Sequence, residues 1–340
     1  MTRPNPSVPP IGLFTKPRKL PAFSRMPVAI FPVLFGAMGV VLGWRKAGDL
    51  SDSGALTALA DAVSGATILL FGFALVGYAV KLIRRPSVVL DELTILPGRT
   101  GLAAMVLGVY LAGMIFSRIS TTATTACLIL GLILHALLIG LLIRQFVFGA
   151  REQARVTPAW QLSFTGPIVG ALLAMELGMR DLALPLFWAS FASAVILWLI
   201  SADQFRRASV PAPLRPLLVI HLSPAALLGM VALALGYTGL ATGFTALSMG
   251  FVAMFGVGGR WLTQAGFSAF WSAFTFPLAG TASLWLAMGA AQPAAWGEVL
   301  IAAGGLLLVA ATLITAPILV RLLKMWAKGD LAVKSNAATA

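Results

Sequence analysis

The chain has 340 residues, of which 59% are hydrophobic and only 10% are charged. Soluble domains carry about 25% charged residues, so this composition excludes an ordinary soluble protein and predicts that a lipid bilayer surrounds most of the chain. A single cysteine, Cys127, excludes a disulfide scaffold. The formal net charge is +13, but the basic residues lie beside apolar runs and form no single patch. We therefore predict no nucleic-acid partner.

Ten apolar runs along the chain are candidates for membrane-spanning helices, because a helix needs about 20 mostly apolar residues to cross a bilayer. The predicted fold class is an all-α integral membrane protein. Numbered in chain order, the predicted spans one to ten are 27–44, 56–80, 101–117, 122–143, 161–178, 182–202, 215–235, 239–259, 267–288 and 297–320.

The positions of lysine and arginine predict how these spans are oriented. Of the 24 basic residues, 20 lie in the two terminal segments and in the loops that follow even-numbered spans. Short cytoplasmic segments accumulate Lys and Arg, so both termini are predicted to be cytoplasmic in a multi-pass protein of the cytoplasmic (inner) membrane.

Three regions follow from this organisation. Residues 1–25, rich in proline and basic side chains, predict a disordered cytoplasmic tail, which either touches anionic lipid or is simply solvated. Residues 26–326 form the predicted transmembrane channel domain. Residues 327–340 predict a free cytoplasmic C-terminal tail.

Interior prolines distinguish the odd-numbered spans from the even-numbered ones. A proline inside a helix removes a backbone hydrogen bond. In a membrane-spanning helix such a break is tolerated where helices pack together or line a water-filled cavity. The pattern predicts an inner ring of odd spans and an outer wall of even spans, although any one proline is also compatible with a simple packing kink. The predicted helix breaks are Pro32, Pro167, Pro224 and Pro277.

The polarity of the odd spans favours an anion pathway. A cation or proton path normally carries a carboxylate at mid-membrane, and the predicted spans have none there. Small and hydroxylic side chains, together with the dipoles exposed at helix breaks, can solvate an anion without binding it tightly. The pore-lining candidates are Phe31, Gly36, Gly39, Thr165, Gly166, Ser223 and Ser272.

Basic residues at the predicted cytoplasmic mouth would raise the local anion concentration by electrostatic steering, although the ordinary cytoplasmic bias of basic residues explains them equally well. Glu92 is interpreted as a structural partner of Arg84 or Arg85, with a place in the mouth as the alternative. The mouth candidates are Lys81, Arg84, Arg85, Arg206 and Arg207.

Three stretches resemble a known family of membrane proteins. Residues 27–45 are similar to its first helix, residues 81–86 with Glu92 and Pro97 to its second helix and linker, and residues 270–277 to its ninth helix. The family is the tellurite-resistance/dicarboxylate transporter family, which includes bacterial TehA and the plant slow-type anion channels. The resemblance covers roughly residues 24 to 325.

This resemblance implies a homotrimer in which each subunit has its own pore, built from five helical hairpins in a quasi-fivefold arrangement with the odd helices inside. It also implies that a phenylalanine of the ninth helix plugs the pore. The matching residue is Phe276, with Phe274 as the fallback. The residue before a proline is biased away from helical geometry, which favours Phe276; the alternative is that either ring only packs between helices or faces lipid.

Two positions leave the family comparison open. The linker has Leu96-Pro97 where the family often has His-Pro. The histidine is absent here, so its role in the family is not carried over to this chain. His221 in span seven either faces the pore and makes conduction pH-sensitive, or is a packed polar residue hydrogen-bonded between helices.

The predicted function is a channel for small monovalent anions, gated by a phenylalanine. The alternative is a proton-coupled carrier or exporter of C4-dicarboxylate, sulfite or tellurite-type anions. The predicted partners are membrane lipid, small inorganic or carboxylate anions, and further copies of the chain. No cofactor, metal or enzymatic activity is predicted, because the sequence has no phosphate loop, zinc-binding pair or mid-membrane carboxylate pair.

Overall fold

The computed structural model describes residues 21–150, 154–292 and 294–340, and all regular elements in these ranges are helical. Nine helices of this part are long and apolar enough to cross a membrane, so the chain is a multi-pass membrane protein. They coincide with predicted spans one to four and six to ten. Their bounds, in that order, are Val28–Leu50, Gly54–Arg84, Leu96–Phe116, Thr121–Phe148, Arg180–Arg207, Ala212–Ala234, Thr238–Val257, Ala269–Ala290 and Ala295–Ala327.

The fifth predicted span differs from the others because it is short and divided. A π-helical turn at Gln161–Thr165 leads into an α-helix at Pro167–Glu176. This segment, called span five below, packs against spans three, four, six and seven. Full-length spans are therefore confirmed at nine of the ten predicted positions. Short helices also occur at Val88–Thr94, Gly259–Leu262 and Asp330–Lys334.

Burial separates the odd spans from the even spans. In the most apolar stretch of spans one, three, seven and nine, 83%, 78%, 78% and 72% of the residues are buried, whereas the values for spans two, four, six, eight and ten are only 28%, 28%, 28%, 22% and 22%. Span five is buried along most of its α-helix. The odd spans thus form the inside of the protein and the even spans its apolar outer surface.

Short connections join each odd span to the next even one. Ser53 and Ser120 cap the starts of spans two and four by accepting hydrogen bonds from the backbone amides of Leu56 and Ala123. Gly178 and Gly236, which follow spans five and seven, have φ angles of 70° and 83°. Such positive φ angles favour glycine and let the chain reverse within a few residues.

The four predicted helix breaks coincide with changes of helix type. Spans one, seven and nine begin as 3₁₀-helices at Val28–Ile30, Ala212–His221 and Ala269–Phe274, and span five begins as the π-helical turn. Each proline lies in the first turn of the α-helix that follows, where its missing amide costs no intrahelical hydrogen bond. These prolines are Pro32, Pro167, Pro224 and Pro277.

The two ends of the described chain meet on one face, which we call the termini side. The amide of Ala340 donates to the carbonyl of Ser24 at 2.9 Å, and Arg85 donates to the carbonyl of Thr339 at 2.7 Å. Leu331, in the helix Asp330–Lys334, is fully buried. The prediction of a free C-terminal tail was wrong, because this segment packs against the start of span one. Most of the predicted N-terminal tail, residues 1–20, lies outside the described residues.

A buried ion pair holds the termini-side ends of three spans together. Lys81 and Glu92 have no exposed side-chain surface, and Lys81 Nζ donates to Glu92 Oε1 at 2.5 Å and to the carbonyl of Met26 at 2.9 Å. The pair ties span two to the start of span one and to the linker before span three. The prediction that Glu92 pairs with Arg84 or Arg85 was wrong, because span two continues to Arg84 and turns Lys81 inward.

Candidate functional site

Three cavities follow one another between the inner spans. Each is lined by residues of all five odd spans, and every lining residue belongs to an odd span or to the loop after span three. The termini-side cavity, which includes Pro97 and Ser272, measures about 30 Å³. The middle cavity, which includes Thr165 and Pro224, measures about 20 Å³. The far-side cavity, which includes Lys46 and Glu176, measures about 390 Å³.

Phe276 lies where these cavities meet and is the one described residue that lines all three. It is only 5% exposed, and its ring stacks on Phe35 with a centroid distance of 3.9 Å. A Cβ atom at Gly39 would lie 2.7 Å from Phe276 Cδ2, and one at Gly280 would lie 3.4 Å from Cε1. The ring therefore fits into a space left by two glycines, at the boundary between two narrow cavities and a wide one.

Phe274, the fallback for the gating ring, points elsewhere. It packs edge-on against Trp271 at 5.8 Å and lines a separate crevice between spans eight and ten. It lines none of the three central cavities. The two phenylalanines are thus on different faces of span nine, as their separation by two residues predicts.

Gly39→Ala should destabilise the observed position of the Phe276 ring, because the added methyl group would overlap that ring. Overpacking of this kind costs about 1–3 kcal/mol, so we expect the basal anion current to rise by about fivefold or more. Currents in reconstituted bilayers provide the measurement. Gly72→Ala is the matched control, because a Cβ at Gly72 meets nothing within 4 Å. A Gly39→Ala current equal to that of Gly72→Ala would contradict this assignment.

Five of the seven predicted pore-lining residues border the central cavities, namely Gly39, Thr165, Gly166, Ser223 and Ser272. Two do not. Phe31 packs edge-on against Phe71 and Tyr78 of span two, at 5.9 and 6.3 Å. Gly36 faces span nine, where a Cβ atom would overlap the side chain of Thr275; its role is close helix packing.

The termini-side and middle cavities carry no titratable side chain among their lining residues. Their polar groups are hydroxyls, one amide side chain and the backbone. Ser223 lines both cavities, and its hydroxyl has no hydrogen-bond partner among the described residues. The constriction is therefore narrow and electrically neutral, with a hydroxyl donor available at its wall.

The far-side cavity, by contrast, is charged. Arg45 forms an ion pair with Asp61 and donates to the carbonyl of Ile115 at 3.1 Å, while Arg118 pairs with Asp49. Lys46 and Glu176 also line this cavity; neither forms an ion pair within the described part of the chain. Cations and acids balance here, so the far-side cavity is polar without a strong net charge.

Several of these residues were missed by the sequence analysis. Span one was predicted to end at 44 but continues to Leu50, which places Arg45 and Lys46 inside the span and not in a loop. Phe35, which stacks on Phe276, was missed because it lies in a run of uniformly apolar residues. Its spacing of four residues from both Phe31 and Gly39 was the one available signal.

The predicted cations of the cytoplasmic mouth occupy dissimilar sites. Lys81 is fully buried in its pair with Glu92, so it contributes no charge to a mouth. Arg84 donates to the carbonyl of Ala22, and Arg85 pairs with Asp91. Arg207 pairs with Asp203 at 2.9 Å, and Arg206 is exposed. The prediction that Lys81 lies in the mouth was wrong because span two is longer than predicted and includes Lys81.

His221 is buried at the junction of the 3₁₀ and α segments of span seven. Its Nδ1 lies 3.5 Å from Gln161 Nε2, and its Nε2 has no partner among the described residues. Its neighbours Ile220 and Ser223 line the cavities, whereas His221 itself lines none of the three. This placement favours a polar packing residue between spans five and seven.

Comparison with known proteins agrees with this geometry. The family described as SLAC1, voltage-dependent anion channel, matches residues 25–323, which include all five inner spans and both ring residues of the constriction. No curated protein sequence matches the chain significantly. The family match confirms the resemblance to the tellurite-resistance and slow-type anion channel proteins. This chain belongs to the SLAC1 voltage-dependent anion channel family.

Proposed function

We propose that this protein is a channel for small monovalent anions, with its pore between the five odd spans and its gate at Phe276. The observation that carries the proposal is the position of Phe276, which lines both narrow cavities and the far-side cavity. Membership in an anion channel family supports the same class of function.

The chemistry of the constriction supports selectivity for singly charged anions. The termini-side cavity has room for about one water molecule, so an ion must shed much of its hydration to pass. Desolvation is far more costly for a doubly charged ion, and no fixed cation lines this part of the path to offset it. Hydroxyl donors such as Ser223 can replace some of the water around a monovalent anion.

The same neutrality argues against the alternative of a proton-coupled carrier. Such a carrier usually needs a titratable group beside its substrate site, and the two narrow cavities have none among their lining residues. Acidic groups line only the far-side cavity, where Asp49 is engaged by Arg118 and Glu176 lies at the far-side end of span five.

Orientation and assembly form part of the proposal. In the part of the chain that the structure describes, most basic residues lie on the termini side, which supports a cytoplasmic location for it in the inner membrane. Each chain supplies all five inner spans of its own pore, so a homotrimer would contain three separate pores whose outer, even spans face lipid and each other.

Planar-bilayer recording of the purified protein tests this function directly. With chloride, nitrate and malate on opposite sides, we expect currents whose reversal potential follows the chloride or nitrate gradient, with little current from malate. Flux that saturates with malate and reverses with the pH gradient would instead establish the carrier. Electrically silent protein that is correctly folded would contradict the channel.

A further inference from the structure

A deep crevice opens between spans eight and ten, away from the central cavities. Its volume is about 390 Å³, within the usual range for ligand pockets. Buried spans seven and nine form its floor through residues such as Leu222, Phe274 and Leu278. Its two rims are outer spans, of which only 22% of the apolar stretch is buried. The crevice therefore opens sideways toward the hydrocarbon of the bilayer.

The lining of this crevice is almost wholly apolar, and Thr263 at one end is its one hydroxylic residue. It includes Gly256 of span eight and Gly259 of the short helix that follows, where an added Cβ atom would meet nothing within 4 Å. Glycine at these points leaves a slot that a flexible hydrocarbon chain can enter. The crevice lies in the half of the membrane on the termini side, because it is lined by the C-terminal half of span eight and by the first halves of spans seven and nine.

Basic and aromatic residues follow the crevice lining at the termini-side ends of spans eight and ten. Arg260 and Trp261 follow Gly259 directly and are exposed. Arg321 lies seven residues beyond Ile314, so it occupies the same face of span ten two turns further on. Its guanidinium lies 5.2 Å from the ring of Phe267. Neither arginine has an acidic partner in the described part of the chain. Tryptophan at such a level is typical of the headgroup region.

We propose that this crevice binds one acyl chain of an anionic phospholipid from the termini-side leaflet, with the phosphate at Arg260 and Arg321. The apolar slot at hydrocarbon depth accounts for the chain, and the two unpaired cations at headgroup depth account for the phosphate. Phe274 and Trp271 belong to the 3₁₀ turn that precedes Phe276, so the bound chain would pack against the back of the gate-bearing segment.

Native mass spectrometry of delipidated protein, titrated with dioleoyl phosphatidylglycerol or dioleoyl phosphatidylcholine, tests the site. Wild-type protein should bind one phosphatidylglycerol per chain more tightly than phosphatidylcholine. Gly256→Leu fills the slot and should weaken binding of both lipids by about tenfold or more, since two buried methylene groups account for that much. Arg260→Gln and Arg321→Gln should each weaken only phosphatidylglycerol binding, by about fivefold.

Two controls make the outcome decisive. Gly250 lies on the same helix as Gly256 but outside the crevice, and a Cβ atom there would meet nothing within 4 Å. The Gly250→Leu variant should therefore bind both lipids as wild type does. Arg206→Gln removes an exposed cation of another span and should leave the lipid preference unchanged. Equal lipid binding by Gly256→Leu and Gly250→Leu would overturn the site. So would loss of oligomers in Gly256→Leu with lipid binding intact, because a second copy of the chain would then fill the crevice.

Discussion

Phe276→Ala should raise the chloride current by about tenfold or more at equal protein density, which corresponds to a conduction barrier lowered by about 1.4 kcal/mol. The ring is the single residue shared by all three central cavities. Its removal joins the narrow cavities to the far-side cavity of about 390 Å³. Current per channel in planar bilayers is the measurement, because it separates a wider path from a higher number of proteins.

Phe274→Ala is the matched control for this experiment. It removes the same side chain from the same span, but from the face that lines the lateral crevice. We expect its current to stay close to that of wild type. If both variants conduct equally, or if Phe276→Ala folds normally and conducts no better than wild type, Phe276 does not close the pore.

The stacked partner of the gate explains why removal of one ring should suffice. Phe35 lies 3.9 Å from Phe276 with an interplanar angle of 24°, yet it lines only the termini-side and middle cavities. Phe35 therefore supports the ring from one side and leaves the far-side cavity open. The proposed gate is therefore a ring that is held in place by packing against Phe35, Gly39 and Gly280 and by no side-chain hydrogen bond.

The general architecture could be predicted from the sequence because its causes are local. An apolar run of sufficient length must span the membrane, and a proline must lie where the freed backbone group is tolerated. These two rules predicted ten spans, of which nine are full-length, and the inner position of the odd helices. They also predicted helix breaks at Pro32, Pro167, Pro224 and Pro277, where the helix type changes. The short, divided form of span five was not predicted.

The orientation of individual side chains could not be predicted in the same way. An inner span is buried on every side, so its apolar residues show no periodicity that marks the pore. Phe31 and Phe35 are both buried, yet Phe31 faces span two and Phe35 faces the constriction. The same limit applied to Gly36 and Gly39. Only the three-dimensional packing tells which glycine touches Thr275 and which touches Phe276.

Charged residues at span ends were harder still, because a shift of a few residues changes their environment. Span two was predicted to stop at 80, which left Lys81 in a solvated loop. The helix continues to Arg84 and buries Lys81. Lys81 pairs with Glu92, which lies eleven residues further along the sequence. Lys81, Arg84 and Arg85 are all close enough in sequence to pair with Glu92. The sequence alone does not show which of these side chains points into the protein.

Lys81→Met should destabilise the protein strongly, by about 3–5 kcal/mol, because it leaves the buried carboxylate of Glu92 without its cation. It also frees the carbonyl of Met26, which accepts from Lys81 Nζ at 2.9 Å. Denaturant unfolding of the purified protein in detergent measures the loss. Arg207→Gln removes one partner of the exposed pair with Asp203 and should cost less than about 1 kcal/mol.

The pH dependence of this loss distinguishes an unpaired charge from lost packing. Burial raises the pKa of the Glu92 carboxyl, and the hydrogen bond and charge of Lys81 oppose that rise. Without Lys81 the pKa of Glu92 rises further. An acid whose pKa is higher in the folded than in the unfolded chain loses stability as the pH rises through that range, so the deficit of Lys81→Met against wild type should be larger at about pH 8 than at about pH 5.

The double variant Lys81→Met/Glu92→Gln completes the test, because it removes the buried charge together with its partner. We expect it to recover part of the stability lost in Lys81→Met and to show no larger deficit at high pH than at low pH. A double variant less stable than Lys81→Met would mean that Glu92 stabilises the fold through contacts other than its ion pair. A pH-independent deficit in the single variant would mean that packing of the lysine stem, and not its charge, holds the ends of spans one, two and three together.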